Sequence, residues 1–186
     1  MARTPSNMVA IGTPAPDFSL PDPAGTLHSR DQIKGKNGLL VVFYCNHCPF
    51  VKHIRERFAE LASEYMKQGV GIVAINSNDI TTHPEDAPEK MAEDIERFGY
   101  EFPYLFDESQ EVAQDFGAAC TPDFFLYDAD LTVFYRGQFD DSRPGNDQPV
   151  TGADLSAAIE ALVRGEEPPQ EQKPSIGCNI KWKKSE

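Results

Sequence analysis

At 186 residues and 40% hydrophobic side chains, the chain is long enough to bury a core of its own and reads as one domain. Its 17 basic and 30 acidic side chains leave a net charge of −13, which argues against nucleic acid and anionic membranes as partners. No apolar run approaches the length of a membrane span. The opening residues, Met1 to Met8, lack the apolar stretch of a secretory signal, so a cytoplasmic setting is expected, in which four cysteines do not imply structural disulfides.

In chain order, residues 1–10 read as a mobile N-terminal arm, and Ile11 to Leu20 as a proline-punctuated entry with a short extended piece. Pro21 to Gly25 is a turn, Leu27 to Ile33 returns toward the core, and Lys34 to Gly38 is a second turn. From Gly38 the run Leu39-Leu40-Val41-Val42-Phe43-Tyr44 predicts a strand buried on both faces, ending in Cys45-Asn46-His47-Cys48. Phe50, Val51, Ile54, Phe58, Leu61 and Tyr65 then recur at helical spacing up to Gly69.

Val70 to Asn76 is a second doubly buried strand, so strand, helix and strand form a parallel βαβ unit. Ser77 to Pro84 is a polar loop at the same sheet edge as the cysteines. Helices follow with Met91, Ile95 and Phe98, then Val112, Ala113 and Phe116, facing inward, separated by an extended piece at Phe102 to Phe106. Ala118 to Asp128 is a strand with Pro122 at its mouth, turned back through Asp128-Ala129-Asp130 into Leu131 to Arg136 as an antiparallel hairpin. Thr151 is placed as the cap of a last helix carrying Leu155, Ile159, Leu162 and Val163. Residues 166–186 form a tail whose Cys178 and Trp182 suggest docking. The domain proper spans 11–165.

A Cys-x-x-Cys pair between a buried strand and a helix N-terminus points to thiol chemistry. The helix start offers unpaired N–H groups and about half a positive charge, which favours a thiolate. A cysteine there is acidified from about 8.5 toward neutrality or below. A second cysteine then resolves the mixed disulfide formed with a substrate. His47 adds a charge or a hydrogen bond beside the pair. A zinc site would need a second Cys-x-x-Cys or a His-x-His, and neither follows. Pro49 suits the first helical position, which makes Cys48 the N-cap and favours it as the nucleophile, whereas the ordinary reading of Cys-x-x-Cys gives the attack to Cys45.

Pro16-Asp17-Phe18, Val41 to Pro49, Thr121-Pro122-Asp123-Phe124-Phe125 and Tyr135-Arg136-Gly137 carry a family likeness. The chain resembles the thioredoxin-like superfamily over about residues 10–165, and within it the peroxiredoxin-like branch of the alkyl hydroperoxide reductase and thiol-specific antioxidant family. The resemblance implies an α/β fold with a central mixed sheet flanked by helices, to which the chain's own reading adds an N-terminal extension and a docked C-terminal tail. It implies a cis proline at Pro122, preceded by Thr121, on a strand facing the cysteines and pairing with the substrate's chain. In thioredoxins an aromatic pair stands five and four residues before the nucleophile, and Phe43 and Tyr44 hold that register before Cys48.

The implied function is thiol–disulfide exchange through Cys45 and Cys48, with a protein or small-molecule disulfide as substrate, a thiol reductant, and no cofactor. Peroxide reduction is the runner-up. Its Pro-x-x-x-Thr/Ser-x-x-Cys signature is absent: Val41 and Cys45 stand at those places before Cys48, and Gly38 and Val42 before Cys45. Arg136 resembles the arginine that supports a peroxidatic thiolate. A third reading is a Cu(I) carrier using Cys45, Cys48 and His47, with or without Cys120, and with His83 as distal ligand. Cys120 reads either as a buried inert thiol or as a third redox partner, and Cys178 either meets Cys120 or stays apart from it.

Overall fold

The computed structural model describes residues 3–184. In chain order these are β1 (Arg3–Pro5), β2 (Ser19–Pro21), β3 (Leu27–Ser29), the single turn α1 (Arg30–Ile33), β4 (Gly38–Phe43), α2 (Pro49–Met66) and β5 (Val70–Asn76). A 3₁₀ turn at Pro84–Asp86 precedes α3 (Pro88–Phe98), β6 (Tyr104–Phe106), α4 (Glu111–Phe116), β7 (Cys120–Thr121) and β8 (Asp123–Tyr127). The chain closes with β9 (Val133–Gly137), α5 (Ala153–Val163) and β10 (Ile176–Asn179).

The central sheet has the order β6-β5-β4-β8-β9. β4, β5 and β6 are parallel, while β8 runs antiparallel to β4 and forms the expected hairpin with β9. β4 is buried along its whole length because both faces of the sheet are covered. Its alternate residues therefore serve two cores. Leu40 and Val42 point to the side packed by Val51, Ile54, Phe58 and Leu61 of α2 and by Leu155 and Ile159 of α5. Leu39, Val41 and Phe43 point to the other, with Phe18, Val112 and Phe116. A near-continuous apolar strand is what such a position requires.

Two sequence expectations need correction, and the expected docking of the tail holds except at Trp182. Residues 3–5 of the supposed mobile arm are strand β1, paired with β10 in the register Arg3↔Cys178 to Pro5↔Ile176; residues 1 and 2 lie outside the described part. The tail is docked through β10, which sits between β1 and β7, whereas Trp182 remains 42% exposed. The N-cap of α5 is Gly152, at φ 72°, not Thr151; Thr151 and Gly152 donate their N–H groups to Asp140 Oδ2, and Thr151 Oγ1 accepts from Ala153 N–H. That left-handed residue redirects the chain into the helix at a place where a side chain would strike Leu61 and Phe139.

Phe58 links α2 to the sheet by ring contacts with Tyr44, Phe102, Phe124 and Phe139, at centroid distances of 5.3–6.2 Å. Phe58→Ala should destabilise the protein by about 3–5 kcal/mol, because such a site collapses only partly onto the lost ring. Urea denaturation checks this, and a loss below about 1 kcal/mol contradicts the packing described.

Candidate active site

β4 delivers the chain to the carboxyl edge of the sheet, where Tyr44 N–H still bonds the Ile75 carbonyl at 2.8 Å. Cys45, Asn46 and His47 form the link, and Cys48 is the N-cap of α2 in extended conformation, with Pro49 opening the helix. No side-chain hydrogen bond caps α2, and of its first-turn N–H groups that of Val51 acts on the Cys48 thiol. Cys45 is 1% exposed and Cys48 0%.

The two thiols are driven in opposite directions. A hydrogen bond from the Cys178 thiol, then one from Cys45, and the Val51 N–H hold Cys48 well below the ordinary thiol range, against its burial. Burial, followed by Cys48 and the Asp86 charge, pushes Cys45 well above it. Cys48 Sγ lies 3.2 Å from the Thr121 carbonyl oxygen and 2.7 Å from Cys178 Sγ. Cys45 Sγ lies 3.3 Å from Thr121 Oγ1. Thr121–Pro122 is a cis peptide. Thr121 thus faces both thiols of the motif, one with its hydroxyl and one with its carbonyl.

Asp86 was not singled out by the sequence, yet it organises the Asn46-His47 link. Its Oδ1 accepts from Asn46 N–H at 2.8 Å and His47 N–H at 3.2 Å. Its Oδ2 lies 2.6 Å from His47 Nδ1 and accepts from Asn78 Nδ2 at 2.8 Å. Burial alone would raise the Asp86 carboxyl, but the bonds from His47, Asn78 and Asn46 outweigh it and leave it below the usual carboxylate range. The same bond raises His47 above the ordinary imidazole value against its own burial. Asn46 is fixed further by its bond to the Glu85 carbonyl and by the Tyr104 hydroxyl. His83 stacks on His47, with ring centroids 4.9 Å apart.

The remaining sequence candidates are placed differently. Cys120 is fully buried, its thiol directed to the Pro122 carbonyl at 3.7 Å, and burial then the nearby Asp123 push it up. Asp123 behind the cis peptide is itself pushed up to about 6 by burial. Arg136 lies on β9, bound through Nη1 to Gln172 Oε1 at 2.6 Å rather than to a thiol. Cys178 meets Cys48, not Cys120. Cys45, His47 and Asp86 bring a sulfur, a nitrogen and a carboxylate oxygen within 4.8 Å of one another. The carrier's ligand set is nevertheless divided, since His47 is bonded to Asp86 and Cys48 to Cys178. The edge that the resemblance assigns to a substrate's chain, at Thr121, is paired with β10.

A mixed sheet with an acidified N-cap thiol, a second thiol three residues back and a cis proline opposite defines a thiol–disulfide oxidoreductase of thioredoxin-like build. The chain belongs to the AhpC/TSA family, whose model matches residues 11–136. It is 35% identical over 125 residues to the thiol-disulfide oxidoreductase ResA of Geobacillus thermodenitrificans, 67% of each chain. Among solved structures it is similar to the hypothetical protein SMc02350 of Sinorhizobium meliloti 1021, at 52% identity and TM-score 0.96 over 98% of this chain and 100% of the other. It is similar as well to an uncharacterized conserved protein of Geobacillus kaustophilus, at 51% identity and TM-score 0.97 over 100% and 99%.

The His47–Asp86 pair has a defined pH window. The raised His47 contributes stability below about pH 6.5 that is lost as pH rises through its folded value, and the depressed Asp86 contributes above about pH 4 and loses it on acidification. Asp86→Asn should therefore cost most, about 3 kcal/mol, between those limits. The deficit should shrink on either side, and the His47 titration followed by NMR should move down. An unmoved His47 midpoint would contradict the pairing.

Proposed function

We propose that the chain reduces disulfides with Cys48 as the attacking thiolate and a neighbouring thiol as resolver, a role that the motif's spacing gives to Cys45. The observation that carries this reading is the seat of Cys48, at the N-cap of α2 with Cys178 Sγ 2.7 Å away, which favours its thiolate while burial disfavours that of Cys45. Attack forms a bond between Cys48 Sγ and one substrate sulfur, and breaks the substrate's S–S bond. The other sulfur leaves as a thiolate and takes a proton from solvent. His47, protonated over a wider range than a free imidazole and close to Cys48, favours the anionic sulfur.

The substrate is a disulfide compound and the electrons come from an external thiol reductant. Because Cys48 is fully buried, a small or locally extended disulfide suits the site better than a folded surface. Peroxide reduction fits less well, since the Pro and Thr that tune a peroxidatic cysteine are replaced here by Val41 and Cys45.

With 4,4′-dithiodipyridine as oxidant, reduced protein should release its first thiopyridone in a reaction that falls on the order of 100-fold or more in Cys48→Ser but survives in Cys45→Ser. Followed by peptide mass spectrometry, alkylation of Cys48 should already be level below pH 7, while that of Cys45 should still climb above pH 9. A first phase that persists in Cys48→Ser would remove Cys48 from the role of nucleophile.

A further inference from the structure

β10 lies outside the span matched by the family model, which ends at residue 136. It is nevertheless built into the site. Its register places Cys178 directly across from Thr121, and Asn179 across from Cys120. Gly177 allows the close approach: a Cβ there would collide with the Thr121 carbonyl, so any other residue would push the strand off the cis-proline edge. Ser175 Oγ donates to the Pro122 carbonyl at 2.7 Å, and Ser6 N–H to the Ser175 carbonyl at 2.8 Å. Beyond the strand, Asp79 N–H bonds the Lys181 carbonyl, and Lys181 N–H bonds Asn78 Oδ1, both at 2.8 Å. Asn78 is the residue that also holds Asp86. Strand and site are thus one hydrogen-bonded unit.

We propose that Cys178 is a catalytic residue of the exchange reaction, the thiol that resolves the mixed disulfide on Cys48 and leaves a Cys48–Cys178 disulfide. The proposal rests on the reading of Cys48 as nucleophile. In the first step Cys48 thiolate bonds one sulfur of the substrate R–S–S–R′, and R′–S⁻ departs and is protonated. In the second, Cys178 gives up its proton and bonds Cys48 Sγ, the Cys48–S–R bond breaks, and R–S⁻ leaves with that proton. Two electrons pass from the Cys48 and Cys178 thiols to the substrate, which ends as two thiols.

Geometry favours this partner over Cys45. The Cys48 and Cys178 sulfurs are 2.7 Å apart, so closure to a bond of about 2.05 Å needs a movement of roughly 0.7 Å. Two reactants held so close gain the advantage of an intramolecular step. Cys45 also bonds Cys48, but its sulfur is held 3.3 Å from the Thr121 hydroxyl as well. In the reduced protein the Cys178 proton is held chiefly by its hydrogen bond to the Cys48 thiolate. Once Cys48 is bonded to substrate sulfur that anion is gone, and the proton is released where the attack needs it.

One equivalent of 4,4′-dithiodipyridine per chain separates the steps. Wild type and Cys45→Ser should each release two thiopyridones, and mass mapping under non-reducing conditions should join the Cys48 and Cys178 peptides. Cys178→Ser keeps a hydrogen-bond donor but cannot form a disulfide. It should still release a first thiopyridone, slow the second relative to the first on the order of 10-fold or more, and carry thiopyridine on Cys48. A second release that is unchanged in Cys178→Ser and lost in Cys45→Ser would overturn the proposal, as would a wild-type product bridged between Cys45 and Cys48. The wild-type map requires no variant and so does not depend on how well Cys178→Ser folds. A first release that survives in Cys48→Ser would instead strike the underlying assignment of the nucleophile.

Discussion

The site depends on how a doubly buried strand is joined to a helix within a few residues. β4 ends inside the protein, so the polar groups of the link cannot turn to water. Asp86 meets that demand: one buried carboxylate takes the N–H groups of Asn46 and His47, the His47 ring and the Asn78 amide. Its negative charge is tolerable there because it is hydrogen-bonded on both oxygens and paired with a histidine whose protonation it supports. With the link fixed in this way, Cys48 has one available position, at the uncapped start of α2.

That arrangement sorts the two thiols of the motif. Both thiols are buried, but Cys48 and the Asp86 carboxylate oppose a negative charge on Cys45, while the Cys178 thiol and the helix start favour one on Cys48. The asymmetry thus follows from where each sulfur finds partners, Cys48 against Cys178 of β10 and Cys45 on the side of Asp86. It does not require a charged residue aimed at Cys48. The pair is separated by environment more than by chemistry, because two identical side chains sit three residues apart.

Much of this was legible in the sequence where the signal is local. Two apolar runs around an amphipathic helix give β4, α2 and β5, and the run from Phe124 with its Asp128 turn gives the hairpin, since side-chain periodicity reports burial directly. Cys48 as N-cap was readable from Pro49. What was not readable depends on distant partners. Arg3 to Pro5 carries no strand pattern, and its pairing with Ile176 to Cys178 is set by the opposite end of the chain. Asp86 looks like Glu85 in the sequence; only folding turns one of them inward. The cap of α5 was misplaced by one residue because Thr151 is an ordinary capping type, while Gly152 is needed for its left-handed backbone.

The small sheet β1-β10-β7 changes what the site can meet. The edge of Thr121, next to the thiols, would be open for pairing in a chain that ended after α5, and an open edge binds extended segments readily. Here the protein's own tail fills it on one side and β1 covers the tail on the other, so backbone pairing is already satisfied before any substrate arrives. Selectivity must then come from what reaches Cys48 past β10 and not from strand addition at Thr121. The closure that restricts entry is also what brings a third sulfur to Cys48. Occupation of the Thr121 edge and placement of Cys178 therefore follow from one strand, and loosening it would change both together.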